Sequence, residues 1–221
     1  MRPLEHLVAS DGYEVMLFPL EYMNISQDEG GSYSHAGTYC MDFLGWGAQG
    51  RILNCPYYAP CSCTCVSSPD PLNNTRVYES DDLVHIPLGV LTKVCFQVAH
   101  DNNPLNVGTH LNQGDLMGHT GDYGNVTGDH LHFNVAVGTY QGYEQVQPSG
   151  NYQLVNSIHI YDACYVNDTV IIEGYNHNWI DYMTPTPIPT RKTKFPWVLY
   201  SRKLREKRTN IWQMFVFVLF I

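Results

Sequence analysis

Glycine, asparagine, aspartate and proline recur so often along this chain that few stretches are left long enough for a helix. Between them lie short apolar runs: EVMLFPL (14–20), RVYES (76–80), LTKVCFQVAH (91–100), DLMGHTG (115–121), LHFNVAVGTY (131–140) and YQLVNSIHIY (152–161). Runs of this length, rich in β-branched and aromatic residues and without a sustained 3.6-residue apolar period, read as strands. The links between them are too short for crossover helices, so neighbouring strands are expected to pair antiparallel. The expected fold class is all-β, built of mostly antiparallel sheets. YVNDTVIIEGY (165–175) reads as a hairpin turning at Asn167-Asp168.

At 221 residues with 44% hydrophobic and 15% charged content, the chain can bury a core and form one domain with appendages. Charge is unevenly distributed. Residues 1–190 hold twenty of the twenty-one acids but only four of the twelve Lys and Arg; the other eight fall in 191–208. A body this acidic repels phosphate backbones, which excludes nucleic acid as its partner. MTPTPIPT (183–190) reads as an extended Pro/Thr linker, followed by the basic segment and IWQMFVFVLFI (211–221). Those last eleven residues fall short of the roughly 20 needed to span a bilayer. The 191–221 tail suits weak contact with a membrane surface. At the other end, Glu5, Asp11 and Glu14 interrupt any apolar run, so no signal peptide is expected.

Seven cysteines cannot all pair with one another. PCSCTCV (60–66) alternates strictly, so Cys61, Cys63 and Cys65 would line one strand face as small, half-buried hydrophobes. That row lacks the C-x-x-C spacing of structural zinc sites.

The histidines carry more information. In GDHLHFNV (128–135) a glycine-rich approach leads into a strand-like run in which His130 and His132 share a face. Two readings stand: exposed histidines on an edge strand, or a metal ligand beside a proton-transfer group. In SYSHAGTYCMDFLGW (32–46), small residues flank His35, and Asp42 sits in an apolar context where an unpaired carboxylate is costly. A metal would satisfy Asp42; so would a turn's backbone N–H groups. KVCFQVAHDNN (93–103) ends a strand at His100, which either reaches into a cleft or lies on the surface. Tyr33 would suit an oxyanion contact if it faced that cleft. Asp28 and Glu29, the other carboxylates near His35, lie in a polar loop.

These stretches together resemble the lysostaphin/LytM-type zinc endopeptidases, peptidase family M23. VGTHLNQGDLMGHTG…TGDHLHFNV resembles the family's glycine-spaced segment leading to G-x-H-L-H-F; SHAGTYCMDF resembles its His…Asp motif, YYAPCSCTCV (57–66) the strand that follows, and VAHDNNPLNVG the segment with an additional histidine. Six residues separate His35 from Asp42, against three in the short family motif, as in relatives with a longer loop. The resemblance covers roughly residues 18–138. It implies a grooved, sandwich-like peptidase domain over 1–182, with 139–182 as a β extension like that of phage-associated relatives. It also implies zinc held by His35, Asp42 and His132, with His100 and His130 as catalytic non-ligands. His110, His119 and His159 have no role in it and read as surface residues.

The implied activity is metal-assisted hydrolysis of peptide bonds in bacterial peptidoglycan, acting at the cell wall after delivery by a phage virion, holin-type or non-classical release. All five key positions are occupied, which favours an enzyme over a catalytically inactive wall-binding or regulatory module. A purely structural zinc site is usually closed by four Cys or His ligands, and the cysteines here lie away from the histidine motifs.

Overall fold

A computed structural model describes residues 1–182 of the chain. The linker, basic segment and apolar tail assigned above to 183–221 lie outside the described residues. No described helix is long and apolar enough to cross a membrane.

The strands assemble as their alternation predicts. The largest sheet runs, in spatial order, His110–Leu111, Cys63–Ser67, Arg76–Ser80, Val94–Ala99, Leu131–Val137, Met41–Phe43, Tyr22–Gln27 and Val170–Glu173, with Ser157–Ile158 pairing beside Leu131–Val137. All these pairings are antiparallel except the last, where Val170–Glu173 runs parallel to Tyr22–Gln27. Smaller sheets surround it, including the hairpin of Tyr143–Gln145 with Tyr152–Leu154. The one described α-helix, Ile160–Ala163, is four residues long. The fold is all-β and mostly antiparallel, as expected.

One face of this sheet builds the core. Leu131, Phe133 and Val135 pack with Val94, Phe96 and Val98 on one side and with Met41 and Phe43 on the other. Phe96 stacks on Tyr78 at 5.6 Å and meets Phe133 edge-on at 6.0 Å. Each such side chain stabilises the fold by roughly 1.5–3 kcal/mol on burial. Because successive side chains alternate, fixing Phe133 and Met41 inward fixes His132 and Asp42 on the opposite face. Those two residues are direct cross-strand partners, and Ala99 lies opposite His132 on its other side.

Two expectations are corrected. Cys61, Cys63 and Cys65 are fully buried, each 0% exposed, rather than half-buried. All seven cysteines are free, and burial pushes the Cys40 and Cys95 thiols up to about 12. The hairpin at Asn167-Asp168 does not form. A turn is present, with Thr169 N–H donating to the Val166 carbonyl (2.7 Å) and Asp168 in the left-handed region (φ 54°). However, Val166 is buried in the core and Tyr165 N–H donates to the Met16 carbonyl, so the chain before the turn is already committed. The strand after it pairs with the open edge of Tyr22–Gln27 instead.

Candidate metal centre

Asp42 and His132 reach the centre from adjacent strands; His35 must be brought there by a loop. His35 N–H donates to the Gly31 carbonyl (3.0 Å), and the His35 carbonyl accepts from Thr38 N–H (2.8 Å) and Thr38 Oγ1 (3.0 Å). Gly37 sits at φ 78°, where a Cβ would meet Val146 Cγ1 at 2.9 Å. Asn151 Nδ2 donates to the Ala36 carbonyl (3.1 Å), and Tyr39 N–H donates to Gln153 Oε1 (3.0 Å). The long interval between His35 and Asp42 is therefore a folded loop docked on the 143–154 hairpin.

Three ligand atoms converge. His35 Nε2 lies 3.3 Å from Asp42 Oδ1 and 3.3 Å from His132 Nδ1, and His132 Nδ1 lies 2.9 Å from Asp42 Oδ1. A tetrahedral zinc ion with bonds of about 2.0–2.1 Å sets its ligand atoms about 3.3 Å apart, so the spacing fits. The donor set among the described residues, two imidazoles and one carboxylate, is one ligand short of a closed four-ligand site. Gln27 Nε2 donates to Asp42 Oδ2 (3.2 Å), which leaves Oδ1 directed at the imidazoles. His35 Nδ1 faces the Asp28 carbonyl at 3.3 Å, which favours the tautomer with its Nε2 lone pair inward. Burial alone would raise the Asp42 carboxyl, but its hydrogen bonds to His132 and His35 outweigh that and hold it well below the usual range. Burial lowers His132.

His130 and His100 stand beside this cluster. His130 Nδ1 faces the Gly128 carbonyl (2.7 Å), and its Nε2 lies 3.6 Å from Asp42 Oδ1. His100 Nδ1 faces the Tyr123 carbonyl at 2.9 Å. Each carbonyl accepts from a protonated Nδ1, so in the neutral ring the lone pair lies on Nε2. The His100 ring centre is 4.7 Å from that of His130 and 6.0 Å from that of His132. Burial, then the neighbouring His132, lowers His100 to about 4. His100 adopts φ 76°, a conformation that costs a non-glycine residue on the order of 1–3 kcal/mol. Surrounding contacts impose it: His100 N–H donates to the Asn73 carbonyl (2.9 Å) and its carbonyl accepts from Tyr123 N–H (3.1 Å). Asp101, next in sequence, accepts from Asn103 N–H and His119 N–H.

Gly121 joins the two histidine segments. It exchanges backbone hydrogen bonds with His130 (2.9 and 3.1 Å), and a Cβ on it would sit 2.2 Å from the His100 carbonyl oxygen. Gly121→Ala is expected to force His100 away from His130, destabilising the fold by about 1–3 kcal/mol. A fall in melting temperature checks this; an equally stable variant overturns it.

The centre opens into a cleft of about 800 Å³ whose lining includes Gln27, Tyr33, Ser34 and residues 125–130. Tyr33 lines it and is 78% exposed. Asp28 and Glu29 are turned elsewhere: His177 Nε2 contacts Asp28 Oδ1 (2.8 Å), and His159 Nδ1 contacts Glu29 Oε2 (2.7 Å). His110 is exposed and pairs with Asp81 (2.7 Å). His159, expected at the surface, is partly buried against Tyr39 and Tyr161. Sequence reasoning missed Gln27 and Arg51, single residues without a motif around them.

The fold and site thus define an all-β chain with a His–Asp–His candidate metal centre flanked by two further imidazoles. The chain is 41% identical over 172 residues to Morphogenesis protein 1 of Bacillus phage B103, covering 77% of this chain and 45% of that protein. It therefore spans less than half the length of this curated relative. No protein-family profile matches it. Among solved structures it resembles a zinc-containing peptidase from Vibrio cholerae (19% identity, 60% of this chain and 43% of that one, TM-score 0.42). It also resembles the antimicrobial peptidase lysostaphin from Staphylococcus simulans (21% identity, 64% and 50%, TM-score 0.41).

Proposed function

We propose that this chain is a zinc-dependent endopeptidase hydrolysing peptide bonds in bacterial peptidoglycan, with residues 1–182 as its peptidase domain. The observation that carries the reading is the convergence of His35 Nε2, Asp42 Oδ1 and His132 Nδ1 within 2.9–3.3 Å of one another. The motif resemblance supplies the reaction and substrate class. The relative, a phage morphogenesis protein, supports a role in a phage.

When bound, zinc supplies a Lewis acid that polarises the scissile carbonyl and lowers the pKa of water. The chain's own residues do the rest. The Asp28 carbonyl and Gln27 orient His35 and Asp42 as ligands. His130 and His100, each anchored through Nδ1, offer Nε2 to take the proton of the attacking water and return it to the leaving amine nitrogen. Protonated imidazole in the cleft also stabilises the developing oxyanion.

The test uses the zinc-loaded protein of residues 1–221 on purified walls of several peptidoglycan types. New amino termini are expected from at least one type, with release falling to background on chelation and returning with added zinc. Release that persists in chelator, or no zinc-dependent release from any wall, overturns the reading.

A further inference from the structure

Residues 1–182 contain four Lys or Arg side chains against twenty acids. Two of the four are held within the fold. Arg76 donates to the Leu105 and Thr75 carbonyls and to Ser68 Oγ, and Lys93 to the Ser80 and Asp81 carbonyls. Arg51 is different. It closes the short hairpin of Trp46–Gly47 with Gly50–Arg51, is exposed, and among the described residues is the one Lys or Arg lining the cleft with His100, His130 and His132.

Among the described residues its one side-chain hydrogen bond runs from Nη2 to the main-chain carbonyl of Asp129 (2.7 Å). The Asp129 carboxylate is engaged elsewhere, accepting from Thr120 Oγ1 (2.6 Å) and from Asn54 N–H (2.9 Å). Asp42, the other acid of the cleft, is surrounded by imidazoles and Gln27. No ion pair links Arg51 to an acid among the described residues. A guanidinium has five N–H donors, and here one of them is committed to a neutral acceptor. The group is thus anchored in direction, without an ion pair among the described residues, and placed beside the residue that precedes His130.

We propose that Arg51 binds a carboxylate of the substrate, so that the cleft takes peptides bearing a free acid group near the scissile bond in preference to amidated ones. The proposal rests on the peptidase reading. A planar fork of N–H donors matches a carboxylate's two oxygens, whereas a carboxamide offers one acceptor and brings no charge. The Asp129 carbonyl fixes the arm of that fork, which lowers the ordering cost of binding. If Arg51 served only to brace Asp129, its loss would weaken all substrates alike.

The experiment compares soluble wall peptides with the same peptides after carbodiimide-mediated amidation, which converts carboxylates to carboxamides. Wild-type kcat/KM is expected to favour the free acids by about tenfold or more, chiefly through KM. In Arg51→Gln the ratio should fall to about one, and Arg51→Lys, a charge without the fork, should keep part of it. A wild-type ratio near one, or an Arg51→Gln ratio equal to wild type, overturns the proposal. Equilibrium binding of both peptide sets to the metal-free protein separates this from failure of the peptidase reading. Tighter binding of the free acids that Arg51→Gln abolishes supports the proposal even without hydrolysis, and equal affinities refute it.

Discussion

Replacing His132 by alanine is expected to abolish zinc uptake and, with it, hydrolysis. His132 Nδ1 contacts both other ligand atoms of the cluster, so its removal leaves His35 and Asp42 as a two-donor remnant. Asp42 is only 9% exposed, and losing a partner there costs on the order of 1–3 kcal/mol. The core face of the strand, Leu131 and Phe133, is untouched, so the variant should fold with a modestly lowered melting temperature. Zinc per chain after dialysis, measured beside a circular dichroism spectrum, is the decisive readout. A folded His132→Ala protein that retains one zinc per chain would sink the ligand assignment.

Replacing His130 or His100 should give the opposite pattern: zinc content near one per chain, with turnover reduced about 10²–10⁴-fold. For His130, alanine serves. For His100, asparagine is the better choice, because it tolerates the left-handed backbone at φ 76° and avoids confounding lost chemistry with lost structure. The two rings are 4.7 Å apart and would handle one proton in sequence, so the double variant should be scarcely worse than either single one. Zinc lost in step with activity in His130→Ala would instead make His130 a ligand.

Local pattern carried the strands and the histidines into view, since alternation is written into consecutive residues such as Leu131, His132 and Phe133. What it could not reach was non-local. Val170–Glu173 finds its partner at Tyr22–Gln27, nearly 150 positions earlier, while the same residues read locally as half of a hairpin. Within the site, the groups that aim the imidazoles are main-chain carbonyls of Asp28, Tyr123 and Gly128, and a carbonyl has no residue identity to read. Arg51 and Gln27 enter the cleft as isolated residues, visible only once the strands are in place.

The docking of the His35–Asp42 loop on the 143–154 hairpin has a consequence for comparing and recombining such chains. In this chain the length of the interval is received by a surface that Val146, Asn151 and Gln153 supply. Loop and hairpin then act as a single structural unit, although a hundred residues separate them. A transplant of the loop into a shorter-spaced scaffold would have to carry the hairpin along, and drift in either would have to be answered by the other.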